Sequence, residues 1–283
     1  MTSLVRIFLY VAAVIGLYLV VLPPVPVVAD VPPFPSQVEM VAKPGVSKFE
    51  LQIARRAVSF TARFMDERCQ LALNHPVKVV LTADQASYFA VLRDEEQLDG
   101  DIIRSQLARS TGTTVNDHVI INAGAVEYYR DMVFITAHEM VHQYQPADAA
   151  QAGLCWLTEG TADVVAANVV AADSGKTAVV DEYRRNWLKV VKSDGHRPGL
   201  EMLDAKADWL AAVRRDAPVA YRTAALAVLY LTDRNGYGAL AAYWQLRAGG
   251  KPPEPAFQQA FGLSSAQFAA QFAAWLAQQD SKR

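Results

Sequence analysis

Apolar residues recur at spacings of three and four from 46 to about 73, with Phe49, Ile53, Ala57, Phe60 and Phe64 on one stripe. That period predicts an amphipathic helix, and Pro76 blocks its continuation. The pattern then changes. Val77–Thr82 is short and rich in β-branched residues, which predicts a strand. Asp84 is placed to cap a helix through Leu92. His118–Asn122 reads as a second strand, closed by the turn-prone Asn122-Ala123-Gly124. From about 125 to 144, Val126, Tyr129, Val133, Ile135, Thr136 and Met140 supply a broad apolar face, and Pro146 stops the predicted helix. Residues 156–163 lead into a further helix over 164–172 that ends around Asp173-Ser174-Gly175. Beyond it the chain is predominantly helical, with helices expected near 177–191, 204–215, 219–234, 237–247, 254–261 and 264–279, separated by Gly and Pro clusters. The late aromatic residues Phe257, Phe261, Phe268, Phe272 and Trp275 are expected in its core. No internal repeat is visible. The expected fold class is α+β, mostly helical, with a small N-terminal sheet.

Residues 7–22 carry no charge and are apolar apart from Gly16 and the hydroxyls of Tyr10 and Tyr18, with Arg6 just before them. Such a segment is an export signal or a membrane anchor. Val27-Val28-Ala29 offers small residues for cleavage before Asp30, whereas Pro23, Pro24 and Pro26 suit a stiff tether after an anchor. Either way the remainder is expected outside the cytoplasm, periplasmic or extracellular, soluble after cleavage or held to the membrane through residues 4–22. Residues 30–45, with Pro32, Pro33, Pro35 and Pro44, read as a linker. The folded domain is then expected over 46–283, with the sheet and the motif-bearing helices in 46–172 and a helical subdomain in 173–283.

With 52% hydrophobic and 20% charged residues and a net charge of −2, the chain can bury a sizeable core and lacks the basic stripe that nucleic-acid binding requires. The acidic stretch 94–101 reads as a solvated turn without calcium-loop spacing. The only cysteines are Cys69 and Cys155. An exported chain permits their pairing, and two small buried side chains are the other outcome.

Within the predicted helix 125–144 stands His138-Glu139-Met140-Val141-His142. Positions i and i+4 share a helix face, so both imidazoles can bind one zinc ion, with the Glu139 carboxylate alongside to take a proton from water. A catalytic zinc needs a third protein ligand, and Glu159 is the leading candidate. Asp163, one turn further, can accept from the outer nitrogen of a ligating imidazole.

His138-Glu139-x-x-His142 followed by Trp156-Leu157-x-Glu159-Gly160-x-Ala162-Asp163 resembles the gluzincin zinc peptidases, in particular the peptidase MA-like family, with weaker likeness across about 77–276. The resemblance implies a zincin-like metallopeptidase fold and zinc-dependent hydrolysis of a peptide or protein substrate. It implies one Zn²⁺ per chain on His138, His142 and Glu159, with Glu139 as general base. It also implies Tyr221 as donor to the oxyanion, with His196 in a turn as the other candidate, and a strand before the metal helix, His118–Asn122, as the edge that holds an extended peptide.

Gln145 and Asp148 occupy positions where a metzincin has Gly and His, which disfavours that class. The G-x-M-E-N sequence of membrane alanyl aminopeptidases is absent. Gly160-Thr161-Ala162-Asp163 partly matches the aspzincin pattern, in which Asp163 would itself be the ligand, although Trp156-Leu157 favours Glu159. The competing function is a non-catalytic peptide-binding or scaffold domain that retains the fold.

Overall fold

Alternation of side chains builds a four-stranded sheet whose two faces enter different cores. A computed structural model describes residues 30–103, 107, 110–149, 153–195 and 197–281. The apolar segment 7–22, with its cleavage and anchor readings, lies outside them. Strand β1 (Val38–Ala42) pairs parallel with β2 (Val77–Thr82). The second strand pairs parallel in turn with a later one, His118–Asn122, to which Gly112–Val115 adds antiparallel; in chain order these are β4 and β3, and the spatial order is β1-β2-β4-β3. Val77, Val79, Leu81, Val119 and Ile121 point into one core, and Val80 and Ile120 into a smaller one with Tyr88, Val91 and Leu92, as the two-residue period of a strand requires.

Two strands were not anticipated. The stretch read as a linker contains β1, and Phe34 and Val38 pack into the sheet-side core, so folded structure begins well before Val46. The flanking prolines conceal a five-residue alternation. Strand β3 joins β4 through the tight turn Asn116-Asp117, with Asn116 at φ 52°, a hairpin connection for which Asn is suited. It follows that β4 is interior, and the edge strand beside the metal-motif helix is β3.

Helix α1 (Lys48–Cys69) opens with a capping box in which Glu50 N donates to Ser47 Oγ (3.1 Å) and Ser47 N to Glu50 Oε2 (2.6 Å). Helix α2 (Gln85–Ala90), capped by Asp84 as expected, runs into a wider turn at Val91–Glu95. Helix α3 (Tyr129–His142) crosses the sheet-side core, and α4 (Cys155–Ser174) follows after a connecting loop. Then come α5 (Ala178–Ser193), the helical run α6 (Lys206–Ala248), α7 (Pro253–Phe261) and α8 (Ser265–Ser281). The run α6 breaks at Asp216, which is extended, and at Gly236, with φ 75°. These are the two boundaries that separate the three helices expected there, and the Asp216 side chain caps the middle one through Val219 N (3.1 Å).

Helix α4 is buried almost all the way round, as a helix apolar on every face must be. One side joins the sheet-side core against α1 and α3, and the other joins a helical core built with α5 to α8, which includes Trp156, Phe257, Phe261, Phe268 and Phe272. Gly160 lets α4 approach α6 closely, because a Cβ there would lie 2.4 Å from Ala224 O and 2.7 Å from Val228 Cγ2. Cys69 and Cys155 are both buried, in different cores, and form no disulfide. Among the described residues no helix is long and apolar enough to cross a membrane.

Candidate metal centre

His138 and His142 lie one turn apart at the C-terminal end of α3, which Pro146 follows. Helix α4 starts at Cys155, earlier than the sequence pattern suggests, so Glu159 and Asp163 both sit within it, one turn apart. Packing of α3 on α4 brings three acceptor atoms together. His138 Nε2 and His142 Nε2 are 3.3 Å apart, and Glu159 Oε2 is 3.5 Å from the first and 3.8 Å from the second. A circle through points with those edges has a radius of about 2.1 Å, which matches the zinc–nitrogen and zinc–oxygen bond lengths of about 2.0–2.2 Å. The three side chains form a group able to hold a metal ion.

The surrounding hydrogen bonds decide which way the lone pairs point. His138 Nδ1 is 2.9 Å from Asp163 Oδ1, and Asp163 Oδ2 also accepts from Arg222 Nη1 at 2.6 Å. An ionised carboxylate only accepts, so Nδ1 carries the proton and Nε2 presents a lone pair. His142 Nδ1 is 2.8 Å from Gln145 Oε1, while Gln145 Nε2 donates to Thr158 O at 3.0 Å. That second bond fixes the amide orientation, and the same tautomer follows for His142. With both rings neutral, two imidazole lone pairs and a carboxylate oxygen therefore converge with no donor among them. Burial opposes a charge on His138, but its bonds to Asp163 and Glu159 outweigh this and raise its pKa well above the usual imidazole value. Burial would raise Glu159, yet His138 and His142 hold it below the usual carboxylate value. The pocket thus demands positive charge, which a proton on His138 or a metal cation can meet.

Glu139 is buried on the sheet side of the same helix, where Thr114 Oγ1 of β3 lies 2.8 Å from its Oε2 and 3.0 Å from its main-chain oxygen. Gly112 makes room for it, since a Cβ there would lie 2.9 Å from Glu139 Cγ. Tyr221 of α6 is half-buried, with its ring centroid 6.2 Å from that of His138 and edge-on to Trp209 at 5.0 Å. Burial, together with Glu159, Glu139 and Asp163, raises its pKa well above that of a free phenol, so the hydroxyl stays a donor. His196 lies outside the described residues.

Asp163 faces the outer nitrogen of His138, the position expected for a partner of a ligating imidazole. It lies on the far side of the ring from Nε2, which separates it from the ligand-bearing group. Sequence reasoning missed Thr114, Gly112, Arg222 and any role for Gln145. For the first two a signal existed, since β-branched Thr113, Thr114 and Val115 precede the Asn116-Asp117 turn and a strand.

No protein-family model matches the chain, and no curated protein matches it. The class defined by fold and site is accordingly an α+β, mostly helical protein with a four-stranded sheet and a His138–His142–Glu159 group able to hold a metal ion.

Proposed function

We propose that the chain is a zinc-dependent peptidase of the gluzincin type, with a zincin-like fold, acting outside the cytoplasm. The single observation that carries this reading is the convergence of two imidazole lone pairs and the Glu159 carboxylate beside the buried Glu139. Two nitrogen ligands and one oxygen suit zinc better than magnesium or calcium, which favour all-oxygen sites. Three protein ligands leave a fourth position open, whereas a structural zinc site closes all four and has no use for a neighbouring base.

When bound, zinc would supply Lewis-acid polarisation of the scissile carbonyl and acidify the attacking water. Glu139 takes the proton from that water and later delivers it to the leaving amine. Its Oε2 is occupied by Thr114, which leaves Oε1 for this work. Tyr221, held protonated, donates to the oxygen on which negative charge develops.

An extended peptide can be held by addition to β3. Asn122 N donates to Thr111 O (2.8 Å), so in the antiparallel register the main-chain groups of Thr111, Thr113 and Val115 face β4 and those of Gly112 and Thr114 face outward. Ser110 Oγ lies on the Gly112 groups, which leaves Thr114 as the pairing position, directly beside Glu139.

The test is metal analysis of the purified chain together with hydrolysis of a quenched-fluorescence peptide library by the wild type and Glu139→Gln. One zinc per chain and a fall in hydrolysis of about 10²–10⁴-fold in the variant, with zinc retained, is the expected result. Absence of stoichiometric zinc, or unchanged hydrolysis in Glu139→Gln, overturns the reading. Zinc retained by a wild type that cleaves no peptide identifies a binding domain instead.

A further inference from the structure

We propose that Gln145 is a positioning residue that sets the His142 imidazole and ties it to the helix carrying Glu159. This inference rests on the metal reading of the triad. Gln145 lies three residues beyond His142, past the end of α3, and its side chain is buried. Its single amide makes two bonds in different directions: Oε1 accepts from His142 Nδ1 (2.8 Å), and Nε2 donates to Thr158 O (3.0 Å). Thr158 is the residue before Glu159, and its own hydroxyl donates to Ala149 O (3.3 Å), closing the loop onto α4. One side chain therefore connects a ligand on α3 to the backbone adjoining a ligand on α4.

The two imidazoles are supported by different chemistry. His138 leans on a buried carboxylate whose charge is balanced by Arg222, at 2.6 Å. His142 leans on a neutral amide. Glu139, Glu159 and Asp163 already bring three carboxylates to this region, and Arg222 pairs with one of them. A further carboxylate at 145 would orient the ring equally well but add uncompensated negative charge, whereas the amide orients without charge. The amide also has what a carboxylate lacks, a donor for the Thr158 carbonyl. Orientation of His142 and spacing of α3 from α4 at Glu159 are consequently set by the same group.

The experiment titrates Zn²⁺ against a competing chelator in the full chain as wild type, Gln145→Met and Gln145→Glu. Nitrogen-15 spectra of the histidine rings in the metal-free proteins report the His142 tautomer, and urea midpoints separate a weakened site from an unfolded chain. Gln145→Met, close to Gln in shape but without polar atoms, is expected to weaken zinc binding about 10–100-fold and to lose the Nδ1–H tautomer signature of His142. Gln145→Glu keeps the acceptor but removes the donor to Thr158 O, so it is expected to retain that signature and to lose clearly less zinc affinity than Gln145→Met. If Gln145→Met does not fold, Gln145→Asn carries the same expectation, because its shorter side chain cannot reach both partners.

Wild-type affinity and tautomer in Gln145→Met would overturn the proposal. So would equal losses in Gln145→Met and Gln145→Glu, which would make Gln145 a loop brace acting only through Thr158. A wild type that takes up no zinc would instead remove the metal reading itself, and this proposal with it.

Discussion

Substituting Gly160 by alanine tests whether the close approach of α4 to α6 is what presents Glu159. Alanine is the better helix former by about 1 kcal/mol in a helix interior, so propensity alone predicts a more stable protein. Packing predicts the opposite. The added Cβ would lie 2.4 Å from Ala224 O and 2.7 Å from Ala224 C and Val228 Cγ2, about 1 Å short of ordinary contact. Two of those atoms are main chain on the facing helix, so relief requires the helices to part. Overpacking of this kind costs roughly 1–3 kcal/mol, and a backbone obstacle belongs at the upper end. The net expectation for Gly160→Ala is a loss of about 2 kcal/mol. Gly238 provides the control: it is exposed on the last segment of α6, and a Cβ there meets nothing within 4 Å. Gly238→Ala should gain about 0.5 kcal/mol, less than the interior value because the break at Gly236 places it in a first turn. Urea unfolding of the metal-free chains, with slopes compared to confirm two-state behaviour, measures both. Since Glu159 adjoins Gly160, the first variant should also bind zinc more weakly. A Gly160→Ala protein as stable as wild type, or stabilised like Gly238→Ala, would refute the argument that these backbones touch.

Asp163→Asn should cost about 2 kcal/mol, less than the roughly 3–5 of a fully buried broken pair because the Arg222 side chain is 31% exposed. It should also weaken zinc binding about 10–100-fold; adding Arg222→Met should cost no further stability, and a double variant much weaker than the single would contradict the pairing. Thr114→Val removes the hydroxyl 2.8 Å from Glu139 Oε2 while keeping the shape, so zinc affinity should hold while peptide hydrolysis falls about tenfold, the lower end of the range of about 1.5–3 kcal/mol for a hydrogen bond to a charged group. Burial pushes the Cys69 thiol up to about 12 and the Cys155 thiol up to about 11. A disulfide reagent at pH 8 should therefore find almost no thiolate in the native chain and two reactive thiols in urea; rapid modification of the native chain would show that these cores open.

What the sequence made legible is what a helix or strand repeat fixes locally. Val77–Thr82 and His118–Asn122 form strands with those bounds, and His138 and His142 share a face because four residues make about one turn. Glu159 and Asp163 followed from the same geometry, although the early start of α4 was hidden because Gly153, Leu154 and Cys155 carry no capping signal; Leu154 occupies the cap position with φ 56° and no side-chain bond. Contacts made between elements were not legible. Arg222 reaches Asp163 across 59 positions, and Gln145 reaches Thr158 across 13; neither separation corresponds to any repeat. The same limit decides the choice between Glu159 and Asp163 as ligand. Both lie on one face of α4 one turn apart, so spacing favours neither, and only the depth at which α4 seats against α3 and α6 distinguishes them. With Gly160 admitting Ala224 of α6, Glu159 comes level with the two Nε2 atoms and Asp163 falls behind the His138 ring. The glycine beside Glu159 is thus part of what places that carboxylate, and not Asp163, in the group able to hold a metal ion.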